Sequence, residues 1–198
     1  KDVVAPGDHQ DFHLMREAVK VYEQEEQGTY PKRDFLLFFG GSIRPERKDY
    51  SGGARQAFFT HFIQPDEGKE DSQKQYPDLK YGGSTEHEGY HAEFCLHPYG
   101  DGWGNRIMFS MMQGCLPVIL QDYVHMPFDD VLPYEEFAVR IRHADIPSLM
   151  DVLRSIPPST IRSMRAAMRK YYTAFSWYPD FGGTAYNWTI SSLHKKLY

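Results

Sequence analysis

Two glycine-rich loops that each carry an arginine are the part of this sequence best suited to bind an anion. The first occupies residues 40–44 and ends in Arg44, and the second occupies residues 100–106 and ends in Arg106. Glycine lets a backbone approach a ligand closely, and a guanidinium can make two parallel hydrogen bonds to a phosphate. Because the second loop opens a predicted helix, its unpaired N–H groups add a partial positive charge. These features together describe a cradle for a diphosphate.

A purely structural explanation of the same glycines stays open, since turns between strands and helices need glycine whatever they bind. One residue separates Gly102 from Gly104, whereas the dinucleotide fingerprint requires two residues between its second and third glycines. No P-loop lysine follows these glycines either. A nucleoside diphosphate therefore fits better than a dinucleotide or a triphosphate. No serine nucleophile elbow is present. The group His87, His91 and His97, with its neighbouring glutamates, is interpreted as solvated charge rather than as a metal site.

The composition narrows the classes of partner. The chain has 198 residues and a net charge of −5, which argues against a nucleic-acid-binding surface and requires any phosphate site to be local. Hydrophobic residues make up 41% of the chain and aromatic residues 15%, which favours a packed core over disorder. The sequence contains no run of about 18 apolar residues, so no membrane-spanning helix is expected within it.

The order of apolar runs predicts an α/β fold with a mostly parallel sheet. Residues 35–39, 93–97 and 116–120 are short apolar runs typical of buried parallel strands, which we expect to be neighbours. A helix at 105–113, ended by Gly114, would cross between the last two of these strands. The remaining predicted elements are an edge strand at 137–141, a short strand within the polar stretch 64–85, and helices at 10–27, 54–62, 147–156, 159–175 and 185–197.

Several side chains are given structural roles by their spacing. The buried face of the first helix is predicted to consist of apolar residues at steps of three and four, Phe12, Met15, Val19 and Tyr22. Ser159 is predicted to cap the helix that follows Pro158. Cys95 and Cys115 lie in apolar runs, and we expect buried free thiols, with a single bridge open if their strands are neighbours.

Five segments of the chain resemble the signature of exostosin-type glycosyltransferases. They are KDVVAP at 1–6, FFGGSIR at 38–44 together with Arg55, FCLHPYGDGWGNR at 94–106, GCLPVI at 114–119 and PF at 127–128. Each is short, but their order and spacing match the family from roughly residue 1 to residue 155. The set is therefore specific although each part alone is weak.

The resemblance implies the C-terminal, nucleotide-sugar-binding half of a GT-B enzyme, in which two Rossmann-like domains enclose the active site. The chain 1–198 would be one such domain, with a helical extension from about residue 158. The N-terminal half would be a missing partner from the same protein, supplying acceptor contacts and the catalytic base. The chain begins at Lys1 without methionine, so we expect a processed or excised piece that does not turn over alone.

The same resemblance implies a donor, a reaction and a compartment. Family members transfer sugar from a nucleotide-sugar, usually a UDP-sugar, with inversion, to a glycan or glycoprotein acceptor. They act in the Golgi lumen or secretory pathway, and the membrane anchor is expected in a segment outside this chain. Neither a metal nor another cofactor is expected, because arginines and helix dipoles neutralise the leaving diphosphate. A glycosylation triplet at 187–189 agrees with that route.

By position, the resemblance gives a substrate-binding set but no catalytic residue. Arg106 would hold the diphosphate, Arg44 would assist, and the loop 100–105 would supply amides. Many family members carry an acid three residues after the equivalent of Arg106, where it binds the ribose, whereas this chain has Phe109. Another acid would then serve the ribose. The full expected set is Arg44, Arg55, Gly100, Asp101, Gly102, Gly104, Asn105, Arg106, Asp122 and Glu136.

A rival interpretation belongs to a different functional class. A catalytically silent exostosin-like module could serve as a binding or structural component of a larger assembly. The missing acid at Phe109 and the isolated domain both favour this alternative.

Overall fold

A five-stranded, all-parallel sheet flanked by helices forms the centre of the molecule. The computed structural model describes residues 2–7, 12–47, 49–64, 75–101 and 104–197. The strand order is β2-β1-β3-β4-β5, and each neighbouring pair is parallel. The predicted α/β, Rossmann-like fold class is therefore confirmed. The strands are β1 (Phe35–Phe39), β2 (Leu79–Tyr81), β3 (Ala92–Pro98), β4 (Leu116–Leu120) and β5 (Val139–Arg140).

The three predicted central strands are adjacent and parallel, as expected. Leu37 of β1 lies opposite Phe94 of β3, and Cys95 of β3 lies opposite Pro117 of β4. Every residue of β4 is buried, which explains why its sequence shows no polar alternation. The missing N–H of Pro117 is tolerated because β5 pairs with β4 only from Val118 onward.

The described helices pack against both faces of this sheet. Their bounds are α1 (Phe12–Gln27), α2 (Ala54–Phe62), α3 (Arg106–Met112), α4 (Leu149–Ser155), α5 (Pro158–Tyr171) and α6 (Ala185–Leu197). The crossover helix α3 joins β3 to β4 and buries the apolar residues predicted for it, Ile107, Met108, Met111 and Met112. It is followed by Gly114 at a φ of +66°, a left-handed conformation that glycine adopts without strain.

Three local predictions about helix faces, caps and strand ends need correction. On α1 the buried residues are Leu14, Met15, Ala18, Val21 and Tyr22, so the predicted Phe12 and Val19 lie at the margin, 44% and 40% exposed. Helix α5 begins at Pro158 after Pro157, and Ser159 lies inside its first turn without capping it. Proline at the first position suits a helix start, because its missing N–H has no partner there. The edge strand spans two residues, Val139–Arg140, rather than 137–141.

Cys95 and Cys115 form a disulfide, so the expectation of free thiols was wrong. Both residues are buried, as expected. Cys95 lies opposite Pro117, and Cys115 stands two positions before Pro117 on the same chain. Side chains two positions apart point to the same side of a strand, so the register brings the two sulfurs together. The bridge ties β3 to the start of β4.

The last helix leaves an apolar row uncovered. Tyr186, Ile190, Leu193 and Leu197 of α6 are exposed at steps of three and four residues. Within the described part of the chain, no helix combines the length and the apolar character needed to cross a bilayer.

Candidate functional site

The two arginine-bearing loops meet at the carboxyl ends of neighbouring strands. β1 ends at Phe39 and is followed by Gly40, and β3 ends at Pro98 and is followed by the loop that leads into α3. Because β1 and β3 are paired in parallel, both loops leave the sheet at the carboxyl ends of its strands, which we call the carboxyl edge. Gly100 accepts a hydrogen bond from the N–H of Ser51 at 3.2 Å, which joins the loops across this edge. Gly102 of the expected set lies outside the described residues.

Arg106 is the first residue of α3 and turns back toward the end of β1. Its Nε donates to the carbonyl of Gly40 at 3.3 Å, and its guanidinium lies 5.6 Å from the centre of the Phe39 ring. A Cβ added at Gly41 would stand 2.6 Å from Nη2, so a larger residue there would displace the guanidinium from this position. Among the described residues, neither Nη1 nor Nη2 has a hydrogen-bond partner. Burial lowers the pKa of Arg106, although a guanidinium stays charged at neutral pH.

The acids that could neutralise Arg106 are engaged elsewhere. Asp101 forms an ion pair with Arg47 at 2.7 Å and lies 3.9 Å from Arg44. Asp122 accepts the N–H of His143 at 3.1 Å. In the described part of the chain, Arg106 therefore has no ion pair, which distinguishes it from an arginine held in a structural salt bridge.

Arg55 lies beneath the same loops but has a different environment. It is only 2% exposed. Its three nitrogens donate to the carbonyls of Tyr99 (2.9 Å), Ser42 (2.9 Å) and Pro98 (3.3 Å). Burial, together with the nearby positive charges of Arg106 and Arg44, lowers the pKa of Arg55 to about 10. Arg55 thus joins the two loops to each other from α2.

Arg44 completes a cluster of guanidinium groups around two aromatic rings. It adopts a left-handed conformation with a φ of 53°, and its guanidinium lies 4.6 Å from the centre of the Tyr50 ring. Arg55 lies 4.8 Å from the same ring and 5.8 Å from the ring of Phe39, which also faces Arg106. The fold therefore brings Arg44, Arg55 and Arg106 together, although the chain carries net negative charge.

The remaining members of the second loop sit beside these arginines. Gly104 leaves open space, since the nearest atom to an added Cβ would be Nη1 of Arg106 at 3.9 Å. Asn105 precedes α3 but its side chain makes no capping hydrogen bond. It faces Gly7 instead, where an added Cβ would meet its Oδ1 at 2.7 Å.

A buried histidine near Arg55 and Arg106 was not predicted from the sequence. His97 is 2% exposed, and its Nε2 lies 2.8 Å from Oγ of Ser110 on α3. Burial, with Arg106 and Arg55 nearby, lowers the pKa of His97 to about 3, so the imidazole is neutral. Its interpretation as solvated charge was wrong. Its position in the apolar run that forms β3 could have indicated burial, because β3 lies between two neighbouring strands.

The comparison with protein-family models decides the family. The exostosin GT47 domain model matches residues 6–156, well over half of the chain. This chain belongs to the exostosin GT47 family.

Curated relatives of this exostosin domain are plant glycosyltransferases. It is 31% identical over 168 residues to the probable glucuronosyltransferase GUT1 of Oryza sativa subsp. japonica. It is also 31% identical over 165 residues to the probable beta-1,4-xylosyltransferase IRX10L of Arabidopsis thaliana. In both comparisons the alignment covers 81% of this chain and 38% of the relative, so the chain spans well under half of their length.

Asp122 and Glu136, the two acids expected to contact the ribose in place of residue 109, lie at different distances from the arginine cluster in this exostosin domain. Asp122 follows β4 and lines a separate groove of about 370 Å³ at the same sheet edge, with Tyr123 and Arg142. Glu136 belongs to a turn that precedes β5, and it accepts a hydrogen bond from Tyr171 at 3.4 Å. Because all strands are parallel, Glu136 lies at the opposite edge of the sheet.

Within the described ranges, no group of three or more His, Cys, Asp or Glu residues is arranged to hold a metal ion. His91 instead lies 3.3 Å from an oxygen of Asp34, with both side chains exposed. Phe109, at the position where the family resemblance led us to expect an acid, is half-buried in α3 and packs against the core.

Proposed function

We propose that this exostosin domain binds a nucleotide-sugar donor, a UDP-sugar, for inverting transfer of the sugar to a glycan or glycoprotein. The observation that carries the proposal is the environment of Arg106. Arg106 is half-buried at the carboxyl ends of the strands, and within the described chain its guanidinium has no carboxylate partner. A cation that is partly withdrawn from water and lacks a carboxylate partner is typical of an anion site.

The cluster suits a diphosphate leaving group. As the acceptor oxygen bonds to the anomeric carbon, the bond from that carbon to the diphosphate breaks and negative charge grows on the departing phosphate oxygens. Fixed guanidinium groups stabilise that charge more than they stabilise the intact donor. Arg106 offers Nη1 and Nη2 as a two-pronged donor, and Arg44 adds a more exposed positive charge. Arg55 holds the loops in place from below. Asp122 is the acid at the same sheet edge that we propose for the ribose hydroxyls.

The acceptor contacts and the catalytic base are proposed to come from an N-terminal half. The relatives extend far beyond the aligned region, which leaves room for a second domain in the whole enzyme. We propose the secretory pathway, and specifically the Golgi lumen, as its compartment. The Cys95–Cys115 disulfide supports this, because such bridges persist in oxidising compartments.

One observation favours a second candidate, a catalytically silent exostosin module within a larger assembly. Phe109 stands where the resemblance led us to expect an acid for the ribose, and it packs against the hydrophobic core. A module of this kind would keep the fold and the arginine cluster without productive donor binding.

Calorimetric titration with UDP, GDP and uridine tests the proposal. We expect UDP to bind and uridine to bind at least about tenfold more weakly, since it lacks the groups that the guanidiniums contact. Donor hydrolysis by the intact protein, measured across a panel of UDP-sugars, then separates the two candidates. UDP binding without hydrolysis of any donor would support the silent module, and absence of nucleotide binding would overturn the donor proposal.

A further inference from the structure

A sizeable cavity lies at the amino-terminal ends of the strands, opposite the arginine cluster. It has a volume of about 510 Å³, is open to solvent on one side, and is lined by the end of α1, the loop before β1, the start of β3 and one face of α5. β3 is seven residues long, so the two sheet edges are roughly 20 Å apart. A cavity of this volume is in the range of small-molecule sites.

Basic side chains line this cavity in a row. Arg162, Arg165 and Arg169 of α5 border it, and their spacing of three and four residues places them on one face of the helix. Lys32 and Arg33 border it from the loop before β1. The five cations face only three carboxylates, those of Glu25, Glu26 and Glu93.

All three carboxylates are already engaged by three of the arginines. Glu25 pairs with Arg33 at 2.8 Å and with Arg165 at 3.5 Å. Glu93 also pairs with Arg165, and Glu26 pairs with Arg169 at 2.6 Å. None of these three carboxylates is therefore left to neutralise the remaining cations.

Two cations at the rim of the cavity remain. In the part of the chain that the structure describes, Arg162 and Lys32 have neither an ion pair nor a hydrogen bond from their side chains, and both are exposed. Pro31 and Ala166 place apolar surface beside them. The cavity thus combines surplus positive charge with small apolar walls.

We propose that this cavity binds an acidic saccharide, with Arg162 and Lys32 holding its carboxylate or sulfate group. The apolar walls suit the C–H faces of a sugar ring, and the Arg–Glu network offers partners for its hydroxyls. The choice of a saccharide rather than another anion rests on the proposed function. A glycan bound here would be held by the domain while the arginine cluster at the opposite ends of the strands serves the donor.

The competing explanation is a salt-bridge network that only fastens α1 and α5 to the sheet. Arg33 is structural in this sense, since it also donates to the carbonyls of Gly89, Ala92 and Gly114. Arg162 separates the two explanations because it is exposed and contributes to none of the described ion pairs. Its removal should leave folding unchanged under either explanation.

The test compares a glucuronate-containing oligosaccharide, a neutral xylo-oligosaccharide of equal length and inorganic sulfate, by calorimetry at low salt. We expect the acidic saccharide alone to bind, and Arg162→Gln or Lys32→Gln to weaken it about fivefold or more. Lys170→Gln is the matched control, since it removes one exposed charge from α5 away from the cavity. The net charge of −5 repels an acidic glycan, which opposes nonspecific binding of this ligand to the rest of the surface.

Four outcomes would overturn the proposal: no binding of the acidic saccharide, equal binding of the neutral one, equal binding of sulfate alone, or equal weakening by Lys170→Gln. UDP titration of the same variants separates this failure from failure of the donor site. Arg162→Gln should leave UDP affinity unchanged, because the arginine cluster lies at the other sheet edge.

Discussion

At the scale of single residues, two neighbouring arginines show how different roles follow from similar sequence contexts. Arg55 donates to three backbone carbonyls, whereas Arg106 donates only to that of Gly40 within the described chain. The acceptors of Arg55 come from residues 13 to 44 positions away. Because these acceptors are assembled by the fold, the sequence alone did not reveal that Arg55 is a link between loops.

His97 gives a prediction about pH dependence. Its folded-state pKa, about 3, lies below the ordinary value near 6.5, so the unfolded chain binds a proton that the native state does not. Stability should therefore fall as pH decreases from about 6.5 toward 3, by up to about 1.4 kcal/mol per pH unit from this group. His97→Gln keeps a hydrogen-bonding group for Ser110 but does not titrate, so its unfolding free energy should fall less steeply.

Urea unfolding at pH 7, 6, 5 and 4 measures this slope. The exposed His87 provides a matched control through His87→Gln, which should follow the wild type. Identical slopes for His97→Gln and the wild type would contradict the buried neutral imidazole.

At the scale of elements, the unit from β3 through α3 to β4 could be predicted almost completely. Continuous apolar runs gave both strands, and a row of methionines with Gly114 gave the helix and its end. The Cys95–Cys115 bridge depends on the register between β3 and β4, and a single sequence does not encode register locally. The prediction that Phe12 and Val19 are buried on α1 was wrong for a similar reason, because contacts with distant elements decide which apolar residues are covered.

Arg55 gives a prediction at this scale, since it joins the β1–α2 and β3–α3 loops. Arg55→Met should leave three carbonyls without donors and lower the free energy of unfolding by about 2–4 kcal/mol. Arg44→Met is the matched control on the same loop, and we expect a change within about 0.5 kcal/mol because Arg44 is exposed. Chemical denaturation measures both. Equal stability of the two variants would show that the three hydrogen bonds of Arg55 do not hold the loops.

At the scale of the whole molecule, a chain with a net charge of −5 concentrates arginine at two opposite edges of one sheet. The cluster of Arg44, Arg55 and Arg106 lies at the carboxyl edge, and the row on α5 lies at the amino edge. Sequence patterns predicted the first, because glycine loops marked it. They did not predict the second, since it is assembled from α1, the loop before β1, β3 and α5.

This arrangement predicts two ligands bound at once. UDP affinity measured with the glucuronate-containing oligosaccharide at saturation should differ by less than about twofold from that without it, since the sites share no side chain. Calorimetric titration of UDP under both conditions measures the difference. A UDP affinity that falls by tenfold or more in the presence of the oligosaccharide would mean that both ligands occupy one site.

The most direct test of the donor site is UDP titration of Arg106→Ala beside thermal unfolding of the same variant. We expect UDP affinity to fall roughly ten- to a hundredfold, since a charge-assisted contact contributes on the order of 1.5–3 kcal/mol. Arg106→Lys should recover only part of this loss, because an ammonium cannot make the two-pronged contact. Thermal stability should change little, because Arg106 makes a single hydrogen bond to the described chain. Unchanged UDP affinity together with a collapse of thermal stability would contradict the account, and would make Arg106 a structural residue.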